Sequence, residues 1–204
     1  MSKSFPDTPV IWLTRDGRDV ATSGVFDWLN KSWHETFTPH QKQRHRLFKG
    51  ENDTNDPVAL DRFFEPDELA WWAGLWKELV QAEAELIHRR TIHRIRFEDM
   101  LEDHHRVLHN LFEFLGLDHS GPVVRRCVEQ TRLSRIKSGK TALNAAARGH
   151  IRSGDSGQWS RHMTRADGQQ FHDIAGQQLI EAGYEHDDVW YQKLPEVLNI
   201  KAKR

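Results

Sequence analysis

Arg15 and Ser23 are the first residues whose types and spacing suggest chemistry. Arg15 follows an apolar run, Val10-Ile-Trp-Leu-Thr14, and opens the polar turn Arg15-Asp-Gly-Arg-Asp19; Ser23 comes eight residues after it. A guanidinium is a planar fork of donors that matches a phosphate, and a hydroxyl adds a further contact. In open α/β sheets ligands bind beyond the carboxyl ends of the strands, so a strand-terminal Arg15 and a Ser23 one turn into the next helix can face one crevice. The same residues also read as a surface ion pair between Arg15 and Asp16, with Ser23 an ordinary helical position.

A second candidate is Ile151-Arg-Ser-Gly-Asp-Ser-Gly-Gln-Trp159. Gly154 and Gly157 would let backbone amides approach an anion closely, and Arg152 adds charge; the alternative is a flexible surface loop. Glu98 and Asp99 favour a helix start through capping and the helix dipole. His105 and His109 stand at the spacing of a metal pair, but no third ligand follows the same logic, so no metal site is expected. Ser138-Gly-Lys-Thr141 lacks the preceding buried strand and earlier glycine of a phosphate loop. His34, His40 and His45 fall in a polar stretch and read as solvent-exposed.

These segments need elements to hold them. Residues 9–14 read as a strand buried on both faces, the kind a parallel sheet requires. Asp19 can cap a helix over 20–29. Residues 30–66, polar and broken by prolines at 39, 57 and 66, read as a long loop or mobile lid with one helical turn. A long helix over 67–90 carries an apolar stripe at Leu69, Trp72, Trp76, Leu79, Val80 and Ile87. A second strand is predicted over 92–97, a helix over 99–115 stopped by Gly116, and another over 122–131. Residues 138–158 read as a basic, glycine-rich loop. Thr164 with Asp167 resembles a capping box that opens a helix reaching Ala182 and Gly183.

The 204 residues fit one domain, 1–204, able to bury a core. Lys and Arg number 29 against 30 Asp and Glu, so bulk charge does not point to nucleic acid, and none is expected as a partner. Charge is segregated, however. Residues 51–70 hold seven acidic groups and one basic, while 125–152 hold eight basic groups and one acidic. A local positive segment suits a phosphorylated ligand or is a solvated face. The single cysteine, Cys127, excludes an intrachain disulfide and makes a reducing, cytoplasmic compartment the expectation. No apolar stretch is long enough to span a bilayer, so no membrane association is expected.

In this order, the segments resemble the sulfotransferases that use 3′-phosphoadenosine 5′-phosphosulfate (PAPS). The first is similar to the family's 3′-phosphate motif, an apolar strand followed by Arg-Asp-Pro-Arg-Asp and a serine eight residues after the first arginine, with Gly17 in place of the proline. The stretch Ile95-Arg-Phe-Glu-Asp-Met-Leu101 is similar to the family's Tyr-Glu-Asp-Leu passage, with Phe97 in place of the tyrosine. The third resembles the late Arg-Lys-Gly and Gly-Asp-Trp motif, with Ser153 for lysine and Gln158 for aspartate. The resemblance covers residues 10–184. It implies an α/β, three-layer, P-loop-like fold with a parallel sheet, and 3′-phosphate contacts from Arg15, Ser23, Arg152, Ser153 and Gly154. It implies PAPS as co-substrate and transfer of its sulfuryl group to a hydroxyl or amine of a small-molecule or glycan acceptor.

In that family a Lys-Ser-Gly-Thr-Thr loop cradles the 5′-phosphosulfate, and a histidine that takes the acceptor's proton lies between it and the segment matching Arg15. Neither precedes Arg15 here, so the chain reads as N-terminally truncated and no catalytic base is assigned. Two strands are also too few for a stable sheet. Three readings stay open: a sulfotransferase whose natural chain is longer or completed by another polypeptide, a non-catalytic nucleotide-binding module, and an inactive fragment. The acceptor and the oligomeric state are not legible.

Overall fold

Strand β1 (Val10–Thr14) and strand β3 (Ile92–Arg96) lie side by side and parallel, with Val10 opposite Ile92 and Thr14 opposite Arg96. They are seen in a computed structural model that describes residues 8–31, 34–49, 58–132, 138 and 154–200. The chain forms two compact units. The first holds the described residues of 1–15 and 83–156, the second those of 16–82 and 157–204.

In the first unit, helix α4 (Phe97–Glu102) leaves β3 without a loop, and α5 (His104–Phe114) and α6 (Gly121–Thr131) follow. The helix expected over 99–115 is therefore two helices. The break is Asp103, whose φ of −146° is non-helical and whose side chain caps α5 by accepting the Arg106 N–H. Val107, Val124 and Val128 supply the buried face of α5 and α6, and Ile95 is the buried residue of β3. The Arg94 guanidinium bonds the buried Glu83 carboxylate. The expectation that β1 is buried on both faces is corrected: Ile11 is 47% and Leu13 60% exposed, because side chains alternate along the strand and only one face is covered.

The second unit contains α1 (Gly17–Lys31), α2 (Pro39–Lys49), most of α3 (Pro66–Leu86) and α7 (Arg165–Glu181). A short antiparallel pair, β2 (Val58–Leu60) with β4 (Leu198–Ile200), completes it. Its core joins Ala21, Val25 and Leu29 of α1, Leu69, Ala73 and Trp76 of α3, and Phe171, Ala175 and Leu179 of α7. The Thr164–Asp167 capping box is formed in full. The Asp167 carboxylate is fully buried and also accepts the Phe63 N–H at 2.9 Å, which ties the chain before α3 to the start of α7.

Residues 30–66, expected as a long loop with one helical turn, carry the eleven-residue helix α2. Pro39 does not break it because proline is accepted at the first helical position. The Thr38 hydroxyl accepts the Gln41 N–H while the Gln41 side chain accepts the Thr38 N–H, a second capping box that the proline count obscured. Among the described residues, no helix is long and apolar enough to cross a membrane.

Candidate functional site

The register of β1 and β3 decides where Arg15 sits. Thr14 and Arg96 are partners across the sheet, so Arg15 and Phe97 leave neighbouring strands side by side at their carboxyl ends. The Arg15 guanidinium lies over the Phe97 ring, 4.5 Å from its centroid. An aromatic face attracts such a cation and holds its plane without using its donors. Arg15 Nη2 donates to the Asp155 carbonyl at 2.9 Å, across 140 residues of sequence. Gly154, next to Asp155, has φ of +76°, a conformation that residues with a Cβ rarely adopt. Arg15 and the segment at Gly154 are thus together in the first unit. Their chemistry fits an anionic group: a fixed guanidinium at a strand's carboxyl end beside a left-handed glycine.

Arg152 and Ser153 lie outside the described residues, as do Gly139, Lys140 and Thr141 of the Ser-Gly-Lys-Thr stretch. Ser23 lies in α1 of the second unit, half-buried, one turn beyond Asp19.

The turn after Arg15 is built differently from the sequence expectation. Helix α1 begins at Gly17, and Asp16 rather than Asp19 caps it, accepting the Arg18 N–H at 2.9 Å. Asp16 is paired with Arg18: Arg18 donates to the Asp16 carboxylate from Nε at 3.0 Å and from Nη2 at 2.7 Å. Arg18 is only 1% exposed. It packs against the indoles of Trp159 and Trp190, 3.7 Å and 4.5 Å from the ring centroids, and also bonds Glu185. Burial works against its charge, but the hydrogen bonds and charges of Asp16 and then Glu185 outweigh it, so its pKa is raised above the ordinary arginine value.

Asp19 reaches outward from α1. Its carboxylate accepts the Gly157 N–H at 2.6 Å and the Trp159 N–H at 3.0 Å. The expectation that the Gly157 amide is available to a bound anion is therefore corrected: a carboxylate of the protein already holds it. Gly17 stands where a Cβ would come within 2.4 Å of the Trp76 indole. Its φ is not positive, so close packing, not turn geometry, requires glycine there.

Glu98 and Asp99 occupy the first turn of α4, as a helix start demands. His109 on α5 donates from Nδ1 to the His119 carbonyl at 3.0 Å, and among the described residues no three His, Cys, Asp or Glu converge as a metal site. His40 and His45 depart from the exposed setting expected of them. His40 is half-buried, with Nδ1 3.1 Å from Glu65 and Nε2 donating to the Arg62 carbonyl at 2.9 Å; His45 is buried against Phe37.

The family described as "Sulfotransferase domain" matches residues 1–183. Sulfotransferase 1C2 of Rattus norvegicus is 26% identical over 136 residues, which is 61% of this chain and 45% of that protein. Sulfotransferase 1C2 of Homo sapiens is 24% identical over 131 residues, 58% of this chain and 44% of that protein. The chain thus spans somewhat under half the length of these curated relatives. A crystal structure of mouse sulfotransferase SULT7A1 complexed with PAP superposes with a TM-score of 0.58 at 18% identity, covering 87% of this chain and 60% of that one.

Proposed function

The chain belongs to the sulfotransferase domain family, and from that premise we propose that it binds the 3′-phosphate of PAPS in a cytosolic protein that transfers sulfuryl groups. Arg15, Ser23, Arg152, Ser153 and Gly154 are the residues assigned to that phosphate. The acceptor is a hydroxyl or amine on a small molecule or glycan. The observation that carries the reading is the meeting of Arg15 with residues 154–155 in the first unit. A strand-end guanidinium and a distant left-handed glycine come together there, as an anion site beyond the strand ends of an α/β sheet requires. The mouse structure complexed with PAP supports the same choice of nucleotide.

In the proposed reaction the bond between sulfur and the phosphate oxygen breaks and a bond forms from the acceptor oxygen or nitrogen to sulfur. The acceptor's proton is released, and negative charge passes to the phosphate oxygen. Such transfers depend on positioning and on donors aimed at that charge. Arg15, assigned to the 3′-phosphate, contributes by positioning: a cation held by packing and a carbonyl needs little reorganisation when the nucleotide arrives.

Calorimetric titration of the chain with 3′-phosphoadenosine 5′-phosphate tests the reading. Saturable binding near the micromolar range, roughly 8 kcal/mol, is expected. In Arg15→Ala it should weaken by about 1.5–3 kcal/mol, the worth of a hydrogen bond to a charged group. A folded chain that does not bind, or an Arg15→Ala variant with undiminished affinity, overturns the assignment.

A further inference from the structure

A cavity of about 320 Å³ opens between α5 and α6 in the first unit, away from Arg15 in sequence and lined by neither Gly154 nor Phe97. Its charged lining is mainly cationic, with Arg106 from α5 and Arg125 from α6 against one acid, Asp103, and the imidazoles of His105 and His109 line it too. The Asp103 carboxylate is already committed to the α5 cap, accepting the Arg106 N–H at 3.0 Å. His109 donates from Nδ1 to the His119 carbonyl, which fixes its ring. Neither the Arg106 nor the Arg125 guanidinium has a hydrogen-bonding or ion-pairing partner among the described residues. This contrasts with Arg18, Arg44, Arg62 and Arg94, each of which bonds a carboxylate.

Two guanidiniums without protein partners among the described residues line one concavity, and an oxyanion there would use donors otherwise left to water. The size of the space narrows the ligand. A bare phosphate would leave most of it empty, whereas roughly 300 Å³ is the lower end of the range for small organic ligands. Val124, the apolar side chain of the lining, is the surface such a body would meet. We propose that this groove binds a small organic phosphate or sulfate ester, with its oxyanion between Arg106 and Arg125 and its organic part against Val124. The site is separate from the one assigned to the nucleotide and does not depend on it.

The test is an amide chemical-shift titration of the 15N-labelled chain with glucose 6-phosphate, with glucose 6-sulfate and with glucose. The two esters should give saturable shifts at residues 103–110 and 121–125, and glucose should give none there. Comparing the esters shows which oxyanion is preferred; saturation by either supports the proposal. Both arginines are exposed, so Arg106→Gln and Arg125→Gln keep the fold, which the spectrum itself reports. Each should weaken ester binding by about tenfold or more. The proposal is overturned if neither ester saturates these resonances, if glucose shifts them equally, or if both substitutions leave the affinity unchanged.

Discussion

The carboxylate of Asp19, buried at the start of α1, holds the backbone N–H of Gly157 at 2.6 Å and also that of Trp159 at 3.0 Å. Gly157 has φ of +73°, and this left-handed turn brings two amides of the segment to one acceptor group. A charge-assisted pair of bonds thus anchors the start of the short 3-10 helix Gln158–Arg161 to α1. Asp19→Asn preserves shape but turns one oxygen into an NH2 that faces an N–H. We expect a stability loss of about 1–3 kcal/mol, the cost of leaving a buried donor unmet. Faster hydrogen exchange at the Gly157 and Trp159 amides should accompany it. Unchanged exchange at both would show that the carboxylate does not hold the segment.

Arg18 joins Asp16, Glu185 and two indoles. Removing its side chain takes two donors from the buried Asp16 carboxylate and a cation from Glu185. Arg18→Met is expected to destabilise by about 3–5 kcal/mol, as when one partner of a buried ion pair is deleted. Arg18→Lys should recover only part of this, because an ammonium lacks the planar fork and does not pack on an indole as a guanidinium does. Chemical denaturation of the two variants checks the order. Equal stability of wild type and Arg18→Lys would show that charge alone matters here.

Both central strands, the helices after each of them and the Thr164–Asp167 capping box are legible from local pattern, since each is written in one short stretch of sequence. So is the place of Arg15, which follows from a strand end. Other features depend on partners far along the chain. Nothing near position 18 announces Trp159, Trp190 and Glu185, so the pairing of Asp16 with Arg18 reads locally as one more charged turn. The Asp19 clamp is hidden for the same reason, with its two amides 138 and 140 residues away. Helix α2 is a different case. Its Thr38…Gln41 capping box and Pro39 were present as a local signal, outweighed by a polar composition that suggested a loop.

Gly17 tests packing rather than chemistry. A Cβ there would lie 2.4 Å from the Trp76 indole, and Trp76 is a buried member of the core that also meets Phe171. Gly17→Ala should therefore cost about 1–3 kcal/mol through overpacking, although alanine is the better helix former. Trp76→Ala removes the whole ring, including the atoms that would collide. In a double-mutant cycle the two substitutions should couple favourably, with the double variant more stable than the sum of the singles. Strict additivity would refute the contact.

Glu65 offers a pH test at the junction of α2 and α3. Its carboxylate meets His40 Nδ1 at 3.1 Å and accepts the Thr38 hydroxyl at 3.2 Å, with Arg44 contributing further positive charge. Burial raises its pKa, but His40, then Thr38 and Arg44, outweigh burial and bring it below the ordinary value of 4.5. A carboxyl whose pKa is lower folded than unfolded stabilises the fold while both states are ionised. That contribution is complete above the unfolded value and is lost as the pH falls through the lower, folded one. Urea midpoints measured from pH 6 down to pH 3 should decline for the wild type through this window. Glu65→Gln should start lower, decline less and converge on the wild type at the acid end. Parallel curves with a constant gap would mean that Glu65 acts by packing or neutral hydrogen bonding, not by its charge.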